Sequence, residues 1–393
     1  MQCATIDDIL KNYIVIITFS QMINVVELFS GIGGMHYSLK GAGMSYNVVA
    51  AIDINTSANE LYKHNFPDTK VYQRNIQSLN CEDFEKLKAN MITMSPPCQP
   101  FTRLGLKKDN CDERTNALLH IIELLPKLSS IKYLLLENVQ GFETSNSRDA
   151  LVDVLGRCGF TFQEFLLNPT DYYIPCSRLR YYLLAKRKPL KFNFQSGELM
   201  KSIPMQDERI IEILVGRGLS QEALVSCSPE KLRRPFMIST ILENNCDATR
   251  YKVPMKILKK YAGVLDLTFP SSTRCCCFTK AYGRYVEGTG SVLCPLLVED
   301  EALDILKEMD TMREAGSDNK GKCNEEMAEV LDRVGVRYFS PREIARLLCF
   351  PEEFTWPRHY SANQLYKLMG NSINVFMVTL LALVLLDGEQ NES

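Results

Sequence analysis

The stretch Asn24-Val25-Val26-Glu27-Leu28-Phe29-Ser30-Gly31-Ile32-Gly33-Gly34 decides the fold. Its first half reads as a short apolar strand, the glycines as a turn, and Met35, Leu39 and Ala42 then fall near one face of a helix. Strand, glycine turn and helix open a doubly wound α/β unit. The next strand, Val48-Val49-Ala50-Ala51-Ile52, ends at Asp53, a carboxylate about twenty residues past the turn and placed to accept hydrogen bonds from a ribose. The alternation continues with helices at 56–65, 81–89, 115–128 and 148–157 and strands at 71–72, 91–95, 133–136, 161–167 and 181–185. It predicts a mostly parallel sheet whose ligands sit beyond the carboxyl ends of the strands.

Gly31, Gly33 and Gly34 fall short of the dinucleotide fingerprint, because His36 stands where its last glycine would be. A helix amino end without close pyrophosphate approach suits a cofactor that has no phosphate, such as S-adenosylmethionine. A purely structural turn accounts for the glycines as well.

At the end of strand 91–95 comes Ser95-Pro96-Pro97-Cys98-Gln99-Pro100. Each proline fixes its own φ and drives the residue before it out of the helical region, so the turn is stiff and Cys98 is a candidate nucleophile. A buried structural cysteine is the plain alternative. Strand 133–136 runs into Glu137-Asn138-Val139, where a glutamate kept protonated could donate to a ring nitrogen, or simply stand as a strand-end carboxylate in water. Arg178 and Arg180 alternate before strand 181–185, so both point to one side, either to fix an anionic group and orient the carboxylate or to form a surface ion pair.

The chain has 393 residues, 46% hydrophobic and 23% charged, with a net charge of −2, so no global basic field announces a polyanion partner. Fourteen cysteines without Cys-x-x-Cys spacing and four histidines point to a reduced intracellular protein with no structural metal. The apolar runs near 14–19 and 375–386 are too short to be read as membrane spans.

The divisions expected are an amino-terminal extension over 1–21, a first part of the catalytic domain over 22–189, an inserted target-recognition domain over 190–336, and a return to the catalytic domain over 337–393. Alternation is lost after Pro189, and charge is segregated in the insert. Residues 231–284 hold eleven Lys or Arg against three Asp or Glu, and residues 287–332 hold four against thirteen. The basic half is a candidate footprint for a nucleic acid, or simply a solvated face. Ser340-Pro341-Arg342-Glu343 has capping-box spacing, and a long apolar helix follows from about Asn371.

Phe29-Ser30-Gly31-Ile32-Gly33-Gly34, Ser95-Pro96-Pro97-Cys98-Gln99-Pro100, Glu137-Asn138-Val139, Arg178-Leu179-Arg180 and Gly370-Asn371-Ser372 occur in the order seen in cytosine-C5 methyltransferases, which the chain resembles from residue 27 to 378. Cys277-Phe278-Thr279 with Lys280-Ala281-Tyr282-Gly283 is similar to the signature of the branch that methylates transfer RNA. The resemblance implies a Rossmann-like S-adenosylmethionine-dependent methyltransferase sheet with a smaller inserted target-recognition domain. It implies Cys98 attack on cytosine C6, with Glu137 bonding N3 and the exocyclic amine and Arg178 and Arg180 assisting at the base. By similarity, Phe29, Ser30, Gly31, Ile32, Gly33, Gly34, Asp53, Ile76, Ser95, Asn371 and Ser372 line the S-adenosylmethionine site. Arg74-Asn75-Ile76 departs from the family by lacking the acidic residue that many relatives carry there.

The implied substrate is cytosine 38 in the anticodon loop of aspartate tRNA, with DNA as a weaker partner, a monomeric enzyme and a cytoplasmic and nuclear location. An anticodon-loop base is already partly unstacked, so extruding it costs less than opening a duplex. Arg103, Lys107, Lys108, Lys280 and Arg284 are the expected phosphate contacts. Competing readings are a DNA cytosine-5 methyltransferase, an adenine amino-methyltransferase, which opens its motif with Ser-Pro-Pro but places an aromatic residue where Cys98 stands, and a catalytically silent nucleic-acid-binding protein.

Overall fold

The computed structural model describes residues 22–97, 116–206, 209–210, 212–213, 235–296, 299–315 and 320–386. Seven strands form one sheet in the order β3-β2-β1-β4-β5-β7-β6: β1 Ile23–Leu28, β2 Tyr46–Asp53, β3 Val71–Gln73, β4 Met91–Met94, β5 Tyr133–Val139, β6 Phe160–Leu167 and β7 Arg180–Arg187. Strands β1 to β5 pair in parallel, as the alternation predicts. The last two depart from it, since β7 runs antiparallel to both β5 and β6. No α-helix separates β6 from β7, only the short 3-10 helix Pro169–Tyr172 and a loop, so the chain lacks the crossover that a parallel pair requires.

The sheet is covered on both faces, and its central strands are therefore apolar throughout rather than alternating. Val25, Ala51, Met91, Leu135 and Leu184 belong to one core, and Val26, Ala50, Ile92, Leu134, Leu136 and Leu183 to the other. Helix Val375–Leu386 belongs to the first core. Its twelve residues are all buried, against helix Gly34–Gly41 and strands β5 and β7. That explains why it is apolar all round. It starts later than its apolar composition suggests. Residues 371–374 break it from helix Ala362–Gly370, and Asn374 caps the new start by accepting from Met377 N–H at 3.1 Å. The capping box at Ser340 and Glu343 is formed.

Within 190–336 the packing divides. Phe192, Ile203, Phe236, Ile238, Cys275, Phe278 and Tyr282 join the first core of the sheet. Val253, Leu258, Phe269, Val292, Met309, Met327, Leu331 and Val336 form a core of their own, built on helices Met255–Tyr261, Glu299–Ala315 and Lys320–Arg333.

Candidate active site

The turn after β1 is shaped by backbone that only a few residues tolerate. Phe29 and Gly31 both have φ 52°, and Gly33 caps helix Gly34–Gly41 with φ 86°. Gly34 has a separate reason to lack a side chain: an added Cβ would lie 2.7 Å from Ile373 Cγ1. The turn is tied to β2, because Gly31 N–H donates to Asp53 Oδ2 at 2.9 Å while Asn55 N–H donates to Asp53 Oδ1 at 2.8 Å. Asp53 therefore sets the shape of the glycine turn as well as facing the cleft.

At the carboxyl edge of the sheet lies a cavity of about 560 Å³, the size range of a small-molecule cofactor site. Phe29, Ser30, Gly31, Ile32, Gly34, Asp53, Ile76, Ser95, Asn371 and Ser372 all line it. Gly33 does not; it sits behind the turn, where an added Cβ would meet the Phe66 ring at 2.9 Å. Ile54, Asn55, Asn75 and Gln77 line it too, although the sequence reading passed over them. Arg74, also on the lining, holds Asp83 with two contacts of 2.9 and 3.0 Å.

The opposite wall carries Glu137, Arg178 and Arg180, with Pro96 and Pro97 beside them. Cys98 follows Pro97 in the chain and lies outside the described residues, as do Arg103, Lys107 and Lys108. Val139 pairs with Arg180 across the β5–β7 ladder, which puts Glu137 and Arg180 on one face as diagonal neighbours. Arg180 Nε is 3.5 Å from Glu137 Oε1. Burial raises the Glu137 carboxyl above its ordinary range, and the charges of Arg180 and Arg178 oppose that rise.

Arg178 is only 4% exposed and acts as a strut. Its Nη1 donates to Cys277 Sγ and to the Phe278 carbonyl, both at 3.3 Å, and its Nη2 donates to the Ser372 carbonyl. Arg180 Nη2 also reaches Cys277 Sγ, at 3.7 Å. The two arginines do point to one side, but the first is spent on holding the 277–278 segment against the 371–372 turn. Lys280 lines the cavity and Arg284 stands outside it.

A cofactor fits this cavity. Ser30 Oγ and Asn138 Nδ2 are buried without a hydrogen-bond partner among the described residues, and both residues line the cavity. Such orphaned groups are costly unless a ligand satisfies them.

Sheet order, glycine turn and the carboxylate–guanidinium wall define a Rossmann-type methyltransferase. The chain belongs to the C-5 cytosine-specific DNA methylase family, whose model matches residues 23–386. The tRNA (cytosine(38)-C(5))-methyltransferase of Bos taurus is 40% identical over 400 residues, covering 93% of this chain and 99% of that one. The DNA (cytosine-5)-methyltransferase of Dictyostelium discoideum is 37% identical over 385 residues, covering 93% and 94%. A crystal structure of Spodoptera frugiperda DNMT2 superposes with a TM-score of 0.77 at 37% identity, covering 93% of this chain and 100% of that one.

Proposed function

We propose that this methyltransferase modifies C5 of cytosine 38 in the anticodon loop of a tRNA, aspartate tRNA by resemblance, acting as a monomer. We assign the activity to the nucleus and cytoplasm, where tRNA is made and used. The observation that carries the chemistry is the buried Glu137 carboxyl, 3.5 Å from Arg180, on the wall that faces the glycine turn. The tRNA reading is supported by the relative at 40% identity over nearly its whole length.

When bound, S-adenosylmethionine supplies an electrophilic methyl group, and Phe29, Ser30, Gly31, Ile32 and Gly34 with Asp53, Ile76, Ser95, Asn371 and Ser372 would hold it. Cys98, as thiolate, adds to C6 of the extruded cytosine and forms an S–C6 bond. Glu137, biased by burial toward its protonated form, gives a hydrogen bond or proton to N3, so the electron pair released from the C5–C6 bond is available at C5. Arg180 holds the carboxyl in place. The pair at C5 forms the C5–methyl bond; the C5 proton then passes to a base or to water, the C5–H pair rebuilds the C5–C6 double bond, and the C6–S pair leaves with the thiolate. The two prolines before Cys98 stiffen the chain that carries the sulfur.

Tritiated methyl transfer to total tRNA and to genomic DNA, measured side by side, tests the reading. Incorporation into tRNA, mapped to cytosine 38 by bisulfite sequencing, is expected; incorporation into DNA alone overturns it. DNA methylation is the second reading, favoured by the Dictyostelium relative's name.

A further inference from the structure

The segment 277–290 is held unusually firmly for a loop. Thr279 N–H donates to the Thr289 carbonyl at 2.9 Å, and the Arg284 and Tyr285 N–H groups both donate to the Ala281 carbonyl at 3.0 Å. Tyr282 is buried, and its hydroxyl donates to the Ser291 carbonyl at 2.7 Å. Gly370 lets helix Ala362–Gly370 come against this loop so closely that an added Cβ would lie 2.3 Å from Lys280 N.

On that rigid support Tyr285 is 69% exposed, more than any other large hydrophobic side chain among the described residues. Its ring and hydroxyl have no partner among the described residues; only its backbone is engaged, its carbonyl accepting from Thr289 Oγ1 at 2.8 Å. Lys280 and Arg284 precede it on the same loop, both exposed and neither in an ion pair among the described residues, and Lys280 also lines the catalytic cavity. Glu287 is the one carboxylate on the same loop. A lone exposed tyrosine is ordinary. An exposed aromatic ring on a firmly held loop that also carries two exposed cations, one of them lining the cavity that would take a flipped base, is the combination that single-stranded nucleic acids use, with rings stacking on bases and cations holding phosphates.

We infer that Tyr285 is a stacking platform for an unpaired base next to the extruded cytosine of an RNA loop, with Lys280 and Arg284 on the flanking phosphates. This rests on the RNA reading above. A fixed backbone leaves little entropy to lose when the base arrives, and stacking tolerates any base because each has a π-face.

The test uses an anticodon stem-loop RNA with 2-aminopurine beside cytosine 38, titrated with the full-length protein across a salt series. Tyr285→Ala is expected to weaken binding by roughly five- to a hundredfold and to abolish the quenching of 2-aminopurine. Tyr285→Phe keeps both, and in neither variant does the slope of log Kd against log salt change. Lys280→Ala or Arg284→Ala instead reduces that slope by about 0.7 each. Because the ring is mostly exposed and makes no hydrogen bond or ring contact among the described residues, Tyr285→Ala should melt close to the wild-type temperature. Wild-type affinity and quenching in Tyr285→Ala, or equal losses in Ala and Phe, overturn the inference alone when wild-type enzyme methylates tRNA. Wild-type enzyme that methylates DNA and leaves tRNA untouched removes the RNA reading, and this inference with it.

Discussion

Arg180 Nε lies 3.5 Å from Glu137 Oε1 across the β5–β7 ladder, with the arginine side chain 17% and the glutamate side chain 10% exposed. Neither group is in bulk water, so the guanidinium charge bears on the ionisation of the carboxyl. Burial favours the neutral carboxyl and the guanidinium favours the carboxylate. Replacing Arg180 by Ala removes the opposing charge and leaves the desolvation, so Glu137 should hold its proton to higher pH. A pH profile of kcat/KM is expected to be lower throughout and to have its alkaline limb displaced upward. Glu137→Gln, which cannot transfer a proton, should lower kcat about a hundredfold or more with little effect on S-adenosylmethionine binding, measured by calorimetry.

Arg178 ties two stretches far apart in sequence, Cys277–Phe278 and the turn at Ser372. Arg178→Ala takes the guanidinium donor from the Ser372 carbonyl and leaves the Cys277 sulfur and the Phe278 carbonyl only longer contacts of 3.7 Å. A loss of about 3 kcal/mol is expected in denaturant unfolding, with weaker S-adenosylmethionine binding because Ser372 lines the cavity. Arg178→Lys should recover only part of both, since an ammonium cannot reproduce the fork.

Gly370→Ala makes a sharper case. The added methyl would meet backbone atoms of Thr279 and Lys280 at 2.3 Å, and backbone cannot swing aside as a side chain can. A drop in melting temperature worth about 2 kcal/mol or more is expected, together with a raised KM for tRNA. Gly43→Ala is a useful comparison: φ is +67° there but nothing lies within 4 Å, so only the smaller conformational penalty should appear.

A buried trio behind the glycine turn predicts a pH dependence of stability. Tyr62 Oη lies 2.7 Å from Glu27 Oε2 and 2.8 Å from His36 Nδ1. Burial pushes the Glu27 carboxyl up to about 8 and pulls His36 down to about 4. Folded protein therefore holds an extra proton on Glu27 between pH 4.5 and about 8, and stability falls across that span as pH rises. His36 acts oppositely between about 4 and 6.5, where the unfolded chain binds the extra proton. The two contributions offset each other up to pH 6.5, and from there to about 8 Glu27 acts alone. Scanning calorimetry should show a melting temperature that declines over that upper window in wild type and a flatter course in Glu27→Gln. Parallel curves would contradict the assignment.

Much of the site was legible because its signals are local. A glycine turn after a strand, a carboxylate at the next strand end and a proline-stiffened turn are read within short windows, and the cavity gathers Ser30, Asp53, Ser95 and Glu137 at one sheet edge. What was not legible depends on residues distant in sequence. Nothing near Arg178 announces Ser372, and nothing near Gly34 announces Ile373. His36 looked only like a missing glycine; in the fold it stacks on Phe66 with ring centres 3.7 Å apart and closes the trio. The antiparallel turn of β7 was hidden because an apolar strand buried on both faces reads the same in either direction.

Covalent catalysis at cytosine is the central claim, and a mechanism-based trap measures it most directly. A tRNA carrying 5-fluorocytosine at position 38 is incubated with S-adenosylmethionine and the full-length protein. Fluorine cannot leave as a proton does, so a denaturant-resistant protein–RNA complex should accumulate, map to Cys98 by peptide mass and vanish in Cys98→Ala. Absence of the complex from wild-type protein that nevertheless methylates the unmodified tRNA, or methyl transfer retained by Cys98→Ala, would contradict the account.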